Sequence, residues 1–223
     1  MLYLFANWKS HKNILEAREW MYTLKDVVSN KVHELLKEKK MAIVILPPAP
    51  LIYPVHTMCL DIEGFSVGIQ DISHLPEGKH TGLIAARSVQ TIATYALLGH
   101  AEVRKRGDDR EKVLTKHEHA CNAGLVPLLC MSKHEEYLSG TQMVAFEPLE
   151  AIGSGANATP EQVKEFRSKL PEDIMTFIYG GSVTPENCNQ YLKPRICDGF
   201  LVGQISLDAR AFGALMHACA SYI

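Results

Sequence analysis

The 223-residue chain contains no run of eighteen apolar residues, which excludes a helical membrane span from the reading. It also lacks an excess of either charge: 23 Lys and Arg face 25 Asp and Glu, a formal net of -2. Such a balance gives no field that would gather nucleic acid. No two of the six cysteines (59, 121, 130, 188, 197 and 219) form a CxxC pair, so neither a zinc ribbon nor a dithiol redox motif is indicated. A chain this long buries enough core to need no disulfide staples. The thiols are therefore expected to be small buried side chains in a reducing, cytoplasmic compartment. There is no linker, low-complexity tract or composition break, and residues 1–223 read as a single domain. The first nine residues, Met1 to Lys9, have neither the basic start nor the apolar length of a signal peptide and read as a strand of the mature fold.

What is present is an alternation. Short apolar runs at 2–6, 41–46, 65–70, 91–98, 125–130, 143–147, 173–179 and 198–203 read as strands, several of them continuous enough to be buried on both faces. Between them lie helical periodicities over 12–39, 50–59, 108–122, 159–169 and 206–220. Thr159-Pro160-Glu161-Gln162 carries an N-cap, a first-turn proline and an acidic first turn, and Thr184-Pro185-Glu186-Asn187 repeats the pattern. Strand then helix, about eight times in one domain, favours a closed (β/α)8 TIM barrel, with an open doubly wound sheet as the alternative. Only twelve residues separate Cys130 from Met143, so the fifth helix is expected to be shortened or missing.

In such barrels the C-terminal strand ends share one mouth. Asn7 and Lys9 follow the first strand, Gln70 the third, His100 and Glu102 the fourth, Glu147 the sixth, and Gly180-Gly181-Ser182 and Gly203 the last two. The mouth thus gathers a carboxylate, an imidazole and an ammonium, with glycines and a hydroxyl on the side where these barrels often hold phosphate. A carboxylate can take a proton from carbon beside a carbonyl when the enolate is stabilised, and an imidazole donor with an ammonium supplies that. An aldose-ketose isomerase of a small sugar phosphate needs this set and neither cofactor nor metal. A glycosidase would use two facing carboxylates, and Glu102 with Glu147 leaves that open at this level. A metal hydrolase would need a denser His and Asp cluster, and His117 and His119 read as helix-surface residues.

Five segments carry a resemblance: Asn7-Trp8-Lys9, Gly99-His100-Ala101-Glu102, the stretch from Ala145-Phe146-Glu147 to Gly153-Ser154-Gly155, Tyr179-Gly180-Gly181-Ser182, and Asp198 to Gly203. In this order they resemble the signatures of the triosephosphate isomerase family, nearly end to end. The resemblance implies Glu147 as general base, interconverting dihydroxyacetone phosphate and D-glyceraldehyde 3-phosphate through an enediolate, as in glycolysis and gluconeogenesis. It implies His100 as a neutral electrophile, Lys9 as the charge-offsetting ammonium, Asn7 as an orienting amide and Glu102 as support for both. Gly153, Ser182, Gly203 and Gln204 would hold the phosphate through backbone N–H groups. The stretch from Pro148 to Ala158 would be a lid, with Tyr179 and Ser182 holding its closed form. This family is itself a well-known worked case of a carboxylate base, a neutral histidine and a closing loop, so these roles rest on resemblance and not on spacing.

The chain also departs from the pattern. Ala101 replaces the serine that usually follows the histidine, Val103 and the segment after it differ from the usual arginine-rich continuation, Glu150 replaces a tryptophan and Gln204 a glycine. At 223 residues it is shorter than the roughly 250 of a typical barrel of this class. That matches short family members that are often tetramers, whereas most of the family are dimers. A homodimer is expected, with a tetramer as the alternative, and residues 71–81 with the tip Thr81-Gly82 would cross between subunits. The substitutions also keep two other functions in view: an isomerase of a four-carbon sugar phosphate, and a non-catalytic sugar-phosphate-binding barrel.

Overall fold

The computed structural model describes residues 1–148 and 157–223. Eight strands, β1 (Leu2–Asn7), β2 (Met41–Leu46), β3 (Phe65–Ile69), β4 (Tyr95–Leu98), β5 (Val126–Met131), β6 (Met143–Phe146), β7 (Thr176–Tyr179) and β8 (Gly199–Val202), pair in parallel in chain order. Pairing of β8 with β1 closes the barrel. Around it lie α1 (Ile14–Val27), α2 (Asn30–Lys37), α3 (Ile52–Cys59), α4 (Ala101–Arg104), α5 (Arg110–Asn122), α6 (Pro160–Ser168), α7 (Asn189–Leu192) and α8 (Ala209–Ala220). The connection from β5 to β6 holds a single 3-10 turn, His134–Glu136.

Side-chain alternation along each strand divides the apolar residues into two clusters. Phe5, Val44, Leu97, Leu128, Ala145 and Leu201 fill the barrel interior. Their neighbours Leu4, Ile43, Leu98, Leu129, Val144 and Phe200 point out and pack under the helices. Both faces of every strand are thus covered, which is why the strands are continuous apolar runs. Trp8, just beyond β1, is fully buried and packs edge-on against Trp20 of α1 at 4.9 Å between ring centres.

Four expectations are corrected. The periodicity over 12–39 is two helices: Val28 is extended and Ser29 starts α2, with the Ser29 N–H donating to His217 Nε2 on α8 at 3.0 Å. The β-branched Val27-Val28 pair favours that break. The fourth strand starts at Tyr95 rather than 91, because the Ile92 and Ala93 N–H groups turn back onto the Val89 carbonyl. The seventh starts at Thr176 rather than 173, after a turn in which the Ile174 N–H reaches the Pro171 carbonyl. Thr159 and Gln162 form the expected reciprocal capping box on α6, whereas the repeat at Thr184-Pro185-Glu186-Asn187 opens only a turn and α7 starts at Asn189 with no side-chain cap; Asp208 caps α8.

Candidate active site

The alternation that fills the barrel also aims the residues at its mouth. With Phe5, Ala145, Ile178 and Leu201 inward, two residues on bring Asn7, Glu147, Gly180 and Gly203 to the inward side of the rim. Asn7 and Glu147 are buried there, although polar. The Glu147 N–H continues the ladder onto the Met131 carbonyl at 2.8 Å, so the carboxylate sits on sheet backbone rather than on a free loop.

Lys9 has a left-handed backbone (φ 51), which costs a side-chain-bearing residue about 1–2 kcal/mol. It is braced from both sides. Its N–H donates to Asn7 Oδ1 at 3.1 Å, and its carbonyl accepts from Gln70 Nε2 at 2.8 Å. The same Gln70 amide donates to the Leu46 carbonyl at 2.8 Å, tying the tips of β1, β2 and β3 together. Lys9 Nζ reaches Glu102 Oε1 at 2.6 Å. Partial burial works to raise the Glu102 pKa, but the Lys9 bond and charge, with His100 and Arg106, outweigh it and hold the carboxyl below its usual range.

His100 is held in one tautomer. Its Nδ1 accepts the Glu102 N–H at 3.2 Å at the start of α4, which leaves the proton of a neutral ring on Nε2. Nε2 lies 3.0 Å from Glu147 Oε1. The other carboxylate oxygen, Oε2, accepts the Ala101 N–H at 3.0 Å. The backbone therefore supplies a contact at a position whose methyl side chain cannot. The chain can turn toward this arrangement because Gly99 is left-handed (φ 66), and Arg104 lies directly beneath it. Arg104 Nε donates to the Gly99 carbonyl at 2.8 Å and its Nη2 to the Cys130 carbonyl at 3.4 Å, while Glu136 stands 3.6 Å away. Glu136 in turn accepts the Ser132 N–H at 2.6 Å. One arginine and one carboxylate thus organise the short β5–β6 connection and join the tips of β4 and β5.

Glu147 is also met by the Cys130 thiol, which points into the barrel beside it. Complete burial, then the Glu147 charge and hydrogen bond, push that thiol well above its ordinary range. It stays protonated beside the carboxylate.

Asn7, Lys9, His100, Glu147, Ser182, Gly203 and Gln204 line one cleft of about 240 Å³, with Leu201 as its floor. That is small for a ligand pocket and suits a compact, polar molecule. Glu102 does not line it. It borders a second hollow with Gln70 and Val103, which Asn7, Lys9 and His100 also line, and it contacts the cleft residues Lys9 and His100. Tyr179 lies behind the cleft, buried, and its hydroxyl accepts the Ala158 N–H at 3.0 Å. That hydroxyl occupies the space where Gly181 would carry a Cβ, so the turn requires glycine there. The Ser182 carbonyl accepts Asn187 Nδ2 at 3.0 Å, which fixes the end of the same turn. Pro148 follows Glu147 directly and is half-buried. Glu150, Gly153 and most of the expected lid lie outside the described residues.

The sequence puts Gln70 at a strand tip without assigning it a role, and it gives the cysteines no more than a filling role, so Cys130 escapes notice. Its signal is its inward register two residues after Leu128. His117 is not a surface residue: it is buried, with Nε2 3.1 Å from Thr141 Oγ1, and burial lowers its pKa.

The triosephosphate isomerase family profile matches residues 2–219. A Thermus thermophilus protein named triosephosphate isomerase is 30% identical over 249 aligned residues, covering 95% of this chain and 96% of its own. One from Nitratidesulfovibrio vulgaris, of the same name, is 31% identical, covering 96% and 98%. A third, from Aquifex aeolicus, is 30% identical, covering 96% and 97%. Strand order, tip residues and end-to-end similarity agree, and the chain belongs to the triosephosphate isomerase family.

Proposed function

We propose that the protein interconverts dihydroxyacetone phosphate and D-glyceraldehyde 3-phosphate without cofactor or metal. The observation that carries this is the 3.0 Å pairing of the Glu147 carboxylate with His100 Nε2 inside the cleft that Lys9 also lines. Family membership supports the same reaction. Glu147 takes a proton from C1 of the ketose phosphate, and the C–H electron pair becomes the C1–C2 double bond of an enediolate. His100, as a neutral ring, donates its Nε2 proton toward the developing oxyanion and helps pass a proton between the two oxygens. Glu147 returns its proton to C2, giving the aldose phosphate. Lys9 offsets the charge of substrate and intermediate, Asn7 orients the oxygens, and Glu102 holds Lys9 and His100.

In this reading Glu147 leaves the Ala101 N–H when substrate enters and turns to carbon. Backbone N–H groups at Ser182, Gly203 and Gln204, with Gly153, hold the phosphate, and the stretch from Pro148 to Ala158 serves as lid, with Tyr179 and Ser182 supporting it. The lid has a chemical reason: an enediol phosphate exposed to water loses phosphate. We read residues 1–223 as a single catalytic domain of a short family form whose fifth helix is reduced to the turn His134–Glu136. A homodimer, with a tetramer as the alternative, and a cytoplasmic setting complete the reading. The six free thiols are consistent with that setting.

The test is isomerisation of D-glyceraldehyde 3-phosphate by the purified protein and by Glu147→Gln. Turnover that the substitution removes supports the proposal. Undiminished turnover in Glu147→Gln, or none in the folded wild type, overturns it.

A further inference from the structure

Behind the glycine turn two buried tyrosines share one backbone unit. Tyr179 ends β7 and Tyr191 sits on α7, their ring centres 4.5 Å apart. The Ala158 N–H donates to Tyr179 Oη at 3.0 Å, and the Ala158 carbonyl accepts from Tyr191 Oη at 2.8 Å. The two hydroxyls thus engage both ends of one residue: its amide donates to Tyr179 and its carbonyl accepts from Tyr191.

A purely space-filling role does not account for the Tyr191 hydroxyl. Phe200 packs edge-on against the Tyr191 ring, 6.3 Å between centres, and phenylalanine would fill this apolar setting without demanding a partner. What the hydroxyl adds is direction. It donates to the buried Ala158 carbonyl and so fixes the residue whose amide the Tyr179 oxygen accepts. Tyr179 cannot shift alone, because its hydroxyl fills the space beside Gly181. Gly180, next in the turn, faces Glu147 so closely that a Cβ there would lie 3.1 Å from Glu147 Cγ.

We propose that Tyr191 is a positioning residue for the candidate site: its hydroxyl locks Ala158, whose N–H engages the Tyr179 hydroxyl, and so holds the Gly180-Gly181 turn against Glu147. The effect on turnover rests on the isomerase reading, whereas the effect on the Ala158 peptide does not. The substitution that tests it is Tyr191→Phe, which keeps the ring and its stacking. Amide hydrogen exchange at Ala158 is expected to speed up by roughly tenfold or more once its carbonyl is unpaired. The kcat for triose phosphate, per folded molecule, is expected to fall roughly fivefold or more with KM changed less than about twofold. Tyr179→Phe should give similar losses, and the double variant should be little worse than either single one.

Unchanged exchange at Ala158 overturns the proposal. Faster exchange with wild-type kcat in an active enzyme also overturns it, since the hydroxyl is then merely structural. Additive losses in the double variant refute the shared hold on Ala158. Should the folded wild type show no isomerase activity, the functional reading falls instead, and the Ala158 exchange rates in the single and double variants still decide whether the two hydroxyls hold Ala158 together.

Discussion

Shortening Glu147 by one methylene probes the site more sharply than removing its charge. In Glu147→Asp the carboxylate remains, but it retreats along the side chain by about 1.5 Å, one carbon–carbon bond. Both of its contacts, to His100 Nε2 and to the Ala101 N–H, are 3.0 Å long, so the retreat takes them beyond hydrogen-bond reach. The backbone cannot follow, because the Glu147 N–H is bonded to Met131 and the Gly180 N–H to Phe146 within the barrel ladder. Proton transfer to carbon demands reacting atoms at close range, and a misplacement near 1 Å costs on the order of a hundredfold in rate. We therefore expect kcat to fall by about a hundredfold or more, equivalent to roughly 2.7 kcal/mol of lost transition-state stabilisation. KM should stay within about threefold, since the cleft residues proposed to hold the phosphate, Ser182, Gly203 and Gln204, are untouched. The assay is steady-state isomerisation in both directions, with thermal unfolding as the control for folding. A folded Glu147→Asp protein with kcat within about threefold of wild type would refute the reasoning.

Two further outcomes follow from other parts of the site. Gly181→Ala places a methyl group where the Tyr179 hydroxyl lies, and should destabilise the barrel by about 1–3 kcal/mol and break the Tyr179–Ala158 bond. Urea unfolding checks the first effect, and unchanged stability would show that the turn has room to spare. Glu102 tests linkage: its folded pKa is depressed, so its stabilisation is fully present above the unfolded carboxylate value near 4.3 and is lost as pH falls through the folded value. Wild type should therefore melt above Glu102→Gln at about pH 6 and converge with it below about pH 4. The Glu102 side chain is 40% exposed, so the gap should be no more than about 0.5 kcal/mol; a gap that widens in acid would contradict the assignment.

The barrel was legible because burial on both strand faces leaves a direct mark in sequence: runs such as Met41–Leu46 with no polar alternation, each followed by a helical period. Boundaries were less legible, and the errors have one cause. Ile92, Ala93 and Ile174 are as apolar as strand residues, yet they are buried or half-buried by turns under the barrel rather than by the sheet. Hydrophobicity reports burial and not hydrogen-bond partner, so it extends a strand into any buried turn that precedes it. The break at Val28-Ser29 was hidden for the converse reason, since α1 and α2 both keep apolar faces toward the barrel and the spacing continues through the gap.

At the site the division runs along a different line. Asn7, Gln70, His100 and Glu147 could be picked out because each is a polar residue at the end of an apolar run, where alternation carries it to the mouth of the barrel. A polar group there is costly unless something engages it, so the position alone raises the question of function. Cys130 and Tyr191 gave no such signal. A thiol and an aromatic ring are ordinary buried residues, and what makes them relevant is a partner elsewhere: Glu147 is 17 residues from Cys130, and Ala158 is 33 from Tyr191. No local pattern encodes those pairings. They follow from barrel closure, which sets Cys130 opposite Ala145 in the register of β5 with β6 and brings α7 behind the tip of β7. A sequence therefore announces the groups that face a ligand more readily than the groups that hold them in place, because the first violate the burial pattern and the second obey it.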